Sequence, residues 1–200
     1  ASAWKFNGMK DKVLLVHQQT RRLLSLINQL LDFRKMESQH IPLQAVRSDA
    51  VSFLVELFLM FKLKAEEQKI KYTIDTLPEP VMLYFDRSKL EVAVINVLSN
   101  ALKYTSAGHG VHLSIRVVGD IGQSARFQQQ KLLTNYLDIT VRDEGIGIKP
   151  DELNRIFDLY YQASHTANMR VVGTGIGLSL VKQFIERHGG EVSLTSQVGQ

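Results

Sequence analysis

Two short glycine-containing segments constrain this chain more than any other feature of its sequence. The first, DEGIGIKP at 143–150, follows an apolar run typical of a β-strand; the second, GTGIGLSLV at 173–181, runs directly into a helical pattern. Glycines at alternate positions let the backbone adopt positive φ angles and approach a ligand closely. A loop of this kind that opens a helix presents free N–H groups and the positive end of the helix dipole, which favour a phosphate.

Each segment alone is a weak signal, because a single G-x-G is more often an ordinary turn. The dinucleotide-binding fingerprint does not fit, since it follows a strand early in a βαβ unit, and here no strand pattern precedes Gly173. The Walker-type phosphate loop G-x-x-x-x-G-K-[ST] is absent from the sequence. Neither of these phosphate-binding folds is therefore expected.

The first part of the chain is expected to be a single long helix. Residues 9–38 repeat apolar side chains at three- and four-residue spacing without proline or glycine. A helix of about 30 residues spans about 45 Å, which is too long for one small domain to cover, so it needs a partner helix. Pro42 ends the pattern. We therefore predict a long helix in 1–43 and a separate domain in 44–200.

The second part interleaves helices and strands without the regular alternation of a doubly wound sheet. This order predicts an α+β fold, a two-layer sandwich with a mixed sheet and helices on one face. The aspartates at 49 and 86 are expected to cap helices. The predicted helices cover 49–68, 86–104, 151–157 and 174–188. The predicted strands cover 69–76, 81–85, 111–118, 137–141 and 191–195, with an exposed loop at 119–131.

Composition excludes several classes of function. The net charge is only +4 and the basic residues are scattered, so no direct contact with nucleic acid is expected. The absence of cysteine excludes disulfides and thiolate metal sites. No run of about 18 apolar residues occurs, so this chain is not expected to span a membrane itself.

The segment NVLSNALKYT, residues 96–105, carries two asparagines one helical turn apart. Asparagine is a poor helix former because its amide competes for backbone groups. The pair can be no more than two exposed polar positions on an amphipathic helix. The motifs that follow it favour a functional role.

Four motifs occur in one order: NVLSNALKYT, VRDEGIGI, IFDLYYQ and GTGIGLSLVKQFIERHGG. This order resembles the ATP-binding domain of sensor histidine kinases, from about Gln44 to the end of the sequence. That domain has the GHKL, or Bergerat, fold, shared with gyrase, mismatch-repair ATPases and heat-shock chaperones. The resemblance implies that ATP and Mg²⁺ are the ligands. Because no G-x-G-T-x-F strand follows residue 200, we expect the last strands of the domain to be missing.

The resemblance assigns roles to the first motif. Asn100 corresponds to the magnesium ligand, and Asn96 supports the metal or phosphate shell. Lys103 is expected to reach the phosphates as a point charge, although a solvated lysine at a helix end is the alternative. Tyr104 is expected along the base or ribose, unless it simply closes the core.

Asp143 corresponds to the aspartate that accepts a hydrogen bond from the adenine amino group, with an ordinary turn-forming aspartate as the alternative. Gly145 and Gly147 are expected to let the backbone pass under the base. The resemblance places 163–172 as a mobile lid over ATP. The phosphate cradle is expected to consist of Gly173, Thr174, Gly175, Ile176, Gly177 and Leu178.

The third motif departs from the family pattern. Leu159 and Tyr160 stand where many members have a basic residue or proline followed by phenylalanine. Gln162 replaces a frequent arginine, which puts a phosphate contact there in doubt. Phe157 and Tyr161 are expected to pack the base of the lid, with ordinary core packing as a strong alternative.

The residue at position 96 favours phosphoryl transfer over hydrolysis. The hydrolytic relatives have a glutamate four residues before the magnesium asparagine, whereas this sequence has Asn96. An amide cannot act as a general base. Phosphoryl transfer depends mainly on positioning and charge neutralisation, so a missing base is tolerable when the acceptor is a histidine.

The phosphoacceptor box of histidine kinases is not present, and His17 lacks its acidic and T-P neighbours. Residues 21–38 resemble the second dimerisation helix of hybrid two-component sensors, so the acceptor histidine is expected upstream of this sequence. We therefore predict a protein-histidine kinase fragment that donates the ATP γ-phosphoryl to that histidine, for relay to a receiver aspartate in signal transduction.

The resemblance also implies the setting of the longer protein. We expect a homodimer through the N-terminal helix, a response-regulator receiver that is separate or fused, and a cytoplasmic domain anchored to the inner or plasma membrane. A degenerate scaffold module and an ATP hydrolase of the same fold are the alternatives.

Overall fold

The computed structural model describes residues 16–17, 20, 42–119, 135–163 and 174–198. The chain divides into two compact units, 1–42 and 43–200. In the first unit Val16, His17 and Thr20 are helical and exposed, and the Thr20 hydroxyl donates to the carbonyl of Val16 at 2.9 Å. Most of the predicted long helix lies outside the described residues.

The second unit contains helices and strands in an irregular order. Its helices are α1 (Ala50–Met60), α2 (Lys62–Glu67), α3 (Arg87–Tyr104) and α4 (Gly177–Arg187). Its strands are β1 (Val46–Asp49), β2 (Lys71–Asp75), β3 (Met82–Phe85), β4 (Gly110–Gly119) and β5 (Asn135–Asp143).

The strands form two sheets in the described part of the chain. β1 and β3 form an antiparallel pair, and β4 lies between a parallel β2 and an antiparallel β5. The apolar side chains of β4 at 111, 113 and 115 are buried, and those at 113 and 115 pack against α1 and α3 in one core. This arrangement confirms the predicted α+β class with a mixed sheet.

Two aspartates begin helices as predicted. The Asp49 carboxylate accepts from the backbone N–H groups of Val51 and Ser52, and the Asp86 carboxylate accepts from that of Lys89. Burial of Asp86 pushes its pKa up, but hydrogen bonds from the Lys89 ammonium and from the N–H groups of Gln44 and Lys89 outweigh that effect and lower it. The Asp86 carboxylate is therefore held in its ionised form.

The single helix predicted for 49–68 is wrong, because the chain breaks at Phe61 into α1 and α2. The Phe61 N–H donates to the carbonyl of Phe58, three residues earlier, at 3.1 Å. An α-helix would instead join residues four apart. The Phe61 side chain packs against two clusters of buried side chains, one that includes Leu54 and Leu98 and one that includes Ala65 and Leu102. Tertiary packing thus overrides a helical pattern that is continuous in the sequence.

The short helix predicted for 151–157 is also wrong. This stretch is a series of turns, in which Glu152 N–H bonds to Lys149 O at 3.0 Å and Arg155 N–H to Glu152 O at 2.9 Å. These bonds join residues three apart, whereas an α-helix joins residues four apart.

Two strands and one helix start also differ from the prediction. The strand predicted for 191–195 has no ladder partner among the described residues, and β1 was not predicted. Helix α4 begins at Gly177 rather than at 174, because the Thr174 hydroxyl accepts from the Ile176 N–H in a turn before it. The predicted loop at 119–131 lies outside the described residues from 120 onward.

No helix within the described ranges is both long enough and apolar enough to cross a membrane.

The Tyr72 ring generates a prediction about stability. Its ring stacks on Phe58 with centroids 4.0 Å apart, and its buried hydroxyl has no hydrogen-bond partner among the described residues. Burial also raises its pKa. An unpaired buried hydroxyl costs free energy, so Tyr72→Phe is expected to leave the free energy of unfolding unchanged or raise it by about 1 kcal/mol.

Urea unfolding measures this effect, with Tyr72→Leu as the control that loses the stacked ring and falls by about 1 kcal/mol or more. A clear loss of stability in Tyr72→Phe would show that the hydroxyl has a partner.

Candidate functional site

The two asparagines of α3 are both half-buried but differ in what they contact. The Asn96 amide nitrogen donates to the carbonyl of Val92 at 2.8 Å. Its amide oxygen faces α4, since a β-carbon placed on Gly177 would lie only 2.5 Å from it. Asn96 is therefore committed to the contact between the two helices.

Asn100 lies one turn further along the same face of α3. Its amide makes no hydrogen bond to any residue that the structure describes. Four residues rise about 6 Å along a helix, so this amide is one turn from the start of α4. A half-buried amide with unused bonding capacity can accept a ligand or a cation.

The C-terminal turn of α3 packs against the first glycine segment. The Tyr104 carbonyl accepts from the Ile146 N–H at 3.3 Å, and it would lie 2.9 Å from a β-carbon on Gly145. The Lys103 ammonium lies 4.7 Å from the centroid of the Tyr104 ring. The contact with Tyr104 explains why only glycine fits at 145. The Lys103 ammonium places a positive charge at this edge of the site.

Asp143 is the last residue of β5, and its carboxylate accepts from the Gly145 N–H at 3.0 Å. Surrounding protein atoms remove part of its hydration and raise its pKa, and the Gly145 hydrogen bond only partly offsets this. The side chain nevertheless remains accessible to solvent. The site thus holds a carboxylate that lacks a full set of donors and can be reached by a ligand.

Position 147 also has no room for a side chain. Its φ is +72°, and a β-carbon there would lie 2.1 Å from the carbonyl oxygen of Gln197. The neighbouring Ile148 N–H donates to the Ser196 hydroxyl at 2.9 Å. Residues 196–198 therefore cover the first glycine turn, a contact that no motif in the sequence predicts.

The second glycine segment forms a turn and then the N-terminus of α4. Gly175 has φ +70°, and its carbonyl accepts from the Tyr160 N–H at 2.8 Å. Tyr160 itself has φ +64°, a conformation rare for a residue with a side chain. Ile176 is the buried residue before α4, which Gly177 and Leu178 open. The N-terminal amides of α4 are thus placed next to Asn96.

Gly173 and residues 164–172 of the predicted lid lie outside the described residues. Tyr161 donates to the Glu152 carboxylate at 3.3 Å, and its ring lies 4.5 Å from the Arg155 guanidinium. Phe157 is half-buried in the same run of turns. Tyr161 contacts its own segment here, and the role predicted for both residues at the base of the lid stays a prediction.

Sequence reasoning missed two residues that shape the site, Tyr160 and Gln197. Neither belongs to a residue type that signals its role, because each contributes only backbone atoms. The indirect signal is the glycine opposite each of them, at 175 and 147.

The site therefore combines an amide oxygen, a carboxylate and the N-terminus of a helix, with a lysine nearby. A family model described as "Histidine kinase-, DNA gyrase B-, and HSP90-like ATPase" matches residues 85–200. The chain belongs to this family. The match covers the asparagine helix and both glycine segments.

Curated relatives carry the names of histidine kinases and of sensor proteins, which confirms the predicted resemblance. The chain is 32% identical to histidine kinase P4 of Formosa agariphila over 94% of its length, and 31% identical to the aerobic respiration control sensor ArcB of Escherichia coli over 92%. It is 28% identical to the sensor histidine kinase WalK of Bacillus subtilis over 99%. The chain spans only 13%, 22% and 30% of these three proteins, respectively.

Solved structures of histidine kinases are also similar to this chain. Full-length ShkA in complex with AMPPNP matches 96% of this chain and 36% of its own, with a TM-score of 0.73 and 26% identity. The histidine kinase ThkA in complex with the response regulator TrrA matches 91% of this chain and 45% of its own, with a TM-score of 0.63. Its identity is 18%, so it supports the fold alone.

The contact between Asn96 and Gly177 generates a prediction. Alanine is the better helix former, but its β-carbon at 177 would lie 2.5 Å from the Asn96 oxygen. Gly177→Ala is therefore expected to lower the free energy of unfolding by about 1–3 kcal/mol, as overpacking does.

Urea unfolding of Gly177→Ala, Asn96→Ala and the double variant measures this effect. Removing the Asn96 amide makes room for the new methyl group, so the double variant should be more stable than the sum of the single changes predicts. Strict additivity would show that the two residues do not press on each other.

Proposed function

We propose that residues 44–200 bind Mg-ATP and donate its γ-phosphoryl group to a histidine on a dimerisation helix of a longer sensor kinase. The single observation that carries this proposal is the uncommitted amide of Asn100, one turn from the contact between Asn96 and the N-terminus of α4. The relatives' names and the matched family model support it.

Asn100 is suited to hold magnesium. Mg²⁺ prefers oxygen ligands and is held in such sites by few protein groups, with phosphates and waters supplying the rest. The Asn100 amide oxygen is such a ligand, and it has no competing partner among the described residues. When bound, the cation would neutralise charge on the phosphates, while the α4 amides and Lys103 hold them.

Asp143 is suited to hold the base. Its carboxylate has one donor in Gly145 and is partly stripped of water, so an additional N–H donor would satisfy it. The adenine amino group supplies that donor, whereas guanine presents a carbonyl oxygen at the same place. Tyr104 lies at the adjoining turn, where its ring can flank the nucleotide. We therefore propose that the site prefers adenine.

Position 96 favours transfer over hydrolysis. The Asn96 amide does not titrate, and its nitrogen is already bonded to the Val92 carbonyl. Its oxygen is confined against Gly177. No group at this position can activate water, which argues against the alternative of an ATP hydrolase.

The partners follow from the same proposal. Residues 1–43 would join a second copy in a dimer, the acceptor histidine would lie upstream, and a receiver aspartate would take the phosphoryl group next. ThkA, a relative in fold, has been solved with a response regulator. In the longer protein this part would lie on the cytoplasmic side of an anchoring membrane segment.

Asp143→Asn is expected to separate binding from stability. Because lost hydration raises the folded pKa, the native state binds this proton more tightly than the unfolded chain, so ionisation lowers stability as the pH rises through that window. At pH 7 the variant should keep or gain stability. Its affinity for Mg-ATP should fall by about tenfold to a hundredfold, as expected for a lost bond to a charged acceptor.

Calorimetric titration and urea unfolding measure the two quantities. Asp138→Asn on the same strand is the matched control. The Asp138 carboxylate is exposed, and among the described residues its hydrogen-bond partner is the Thr140 hydroxyl. GTP should bind more weakly than ATP. Equal affinity of wild type and Asp143→Asn would remove Asp143 from the site.

Phosphoryl transfer is tested by adding a separate acceptor helix from a histidine kinase with γ-labelled ATP. The kinase proposal expects label on the histidine, and little phosphate release without the helix. Binding without labelling would favour a scaffold, and steady phosphate release without acceptor would favour a hydrolase. Asn100→Ala is expected to abolish labelling, since it removes the proposed metal ligand.

A further inference from the structure

A histidine far from the asparagines joins α3 and α4 at their other end. Asp86 is 3% exposed, and its backbone N–H donates to Nε2 of His188 at 3.0 Å. Nδ1 of His188 lies 2.7 Å from the carbonyl oxygen of Phe184 in the last turn of α4. A buried backbone N–H needs a partner, and His188 supplies it.

The two partners determine the protonation state of the ring. The Asp86 N–H can only donate, so Nε2 must be unprotonated, and the Phe184 carbonyl can only accept, so Nδ1 must carry the proton. The His188 ring is therefore neutral, with its single proton on Nδ1. We call this pair of bonds the Asp86–His188 bridge.

The distance from the Asp86–His188 bridge to the Asn96–Gly177 contact is about the same along α3 as along α4. Asp86 and Asn96 are ten positions apart, and Gly177 and His188 are eleven positions apart. At 1.5 Å per residue, these stretches are about 15 Å and about 16.5 Å long. The helices are therefore antiparallel and held at both ends of a shared length.

The residues between the Asp86–His188 bridge and the Asn96–Gly177 contact are largely apolar and buried. Leu90, Ala93 and Val94 of α3 are buried, as are Leu180 and Phe184 of α4. Helices are stiff over this length. A shift of α4 along α3 at the Asp86–His188 bridge is therefore transmitted to the Asn96–Gly177 contact rather than absorbed between them. The Asp86 carboxylate also accepts from the Gln44 N–H at 3.0 Å, which ties the start of the domain to the same place.

We propose that His188 is a positioning residue for nucleotide binding, because the Asp86–His188 bridge sets the offset of α4 along α3 and thereby places the α4 N-terminus against Asn96, one turn from Asn100. This inference rests on the proposed function. His188 does not touch the nucleotide in this arrangement and acts only through the two helices.

Two variants that differ by one methylene group test the bridge. Glutamine places its amide at about the depth of Nε2, whereas asparagine reaches only the depth of Nδ1. His188→Gln can keep the acceptor for Asp86, and His188→Asn cannot. Calorimetric titration with Mg-ADP should show affinity within about threefold of wild type for His188→Gln and about five- to tenfold weaker for His188→Asn.

His112→Asn is the control, because its ring contacts Thr73 and Asp75 of β2 rather than either helix. Its affinity should equal that of wild type. Equal affinities for the two His188 variants, whether strong or weak, would overturn the positioning role. Circular dichroism establishes that each variant is folded before titration.

Nitrogen-15 resonances of the His188 ring in the wild-type chain test the inference without any variant. They should report the neutral tautomer with the proton on Nδ1, and they should shift on saturation with Mg-ADP. The opposite tautomer, or resonances unchanged by bound nucleotide, would overturn the inference even if His188→Asn fails to fold. If wild type binds no nucleotide, the proposed function fails, while the tautomer still tests the bridge.

Discussion

The close contact of α3 with α4 at Asn96 and Gly177 is the interaction on which the rest of the site depends. Asparagine in the middle of a helix normally weakens it, and glycine at the start of one adds no packing. Here the missing side chain at 177 makes room for the Asn96 oxygen, and the Asn96 nitrogen bonds within its own helix. The two residues are therefore complementary, and their contact places a helix N-terminus one turn from a second asparagine.

Two polar side chains of the candidate site have incompletely satisfied hydrogen-bonding groups in the structure. The Asp143 carboxylate has lost hydration, and the Asn100 amide has no partner among the described residues. In the proposed function these groups gain a hydrogen-bond donor and a cation when the nucleotide binds. Tyr160 adds backbone strain at the edge of the second glycine turn. The core below, where apolar side chains of β4 pack on α1 and α3, supplies the stability that tolerates these groups.

The motif residues were easier to locate in the sequence than the boundaries of some elements. Glycines at alternate positions, paired asparagines and capping aspartates each have a local physical cause that a short stretch of sequence reveals. The break at Phe61 does not, because Phe61 packs against two clusters whose members come from several elements, including α3 and β4. The turns at 151–157 have a helix-like composition, and only their hydrogen bonds distinguish them. The strand expected at 191–195 has no partner among the described residues, and strand pairing is a non-local property.

The sequence by itself determined the family, the α+β class and the residue types that can bind a nucleotide, because each of these is encoded in motifs and periodicity. It also showed that position 96 carries an amide where a general base would be needed for hydrolysis. Only the tertiary structure decided that Asn96 is used between helices while Asn100 is not, and that His188 joins the far ends of the same helices. The physical reason is that a side chain's role depends on which atoms lie within about 3 Å of it, and those atoms come from elements far apart in the chain.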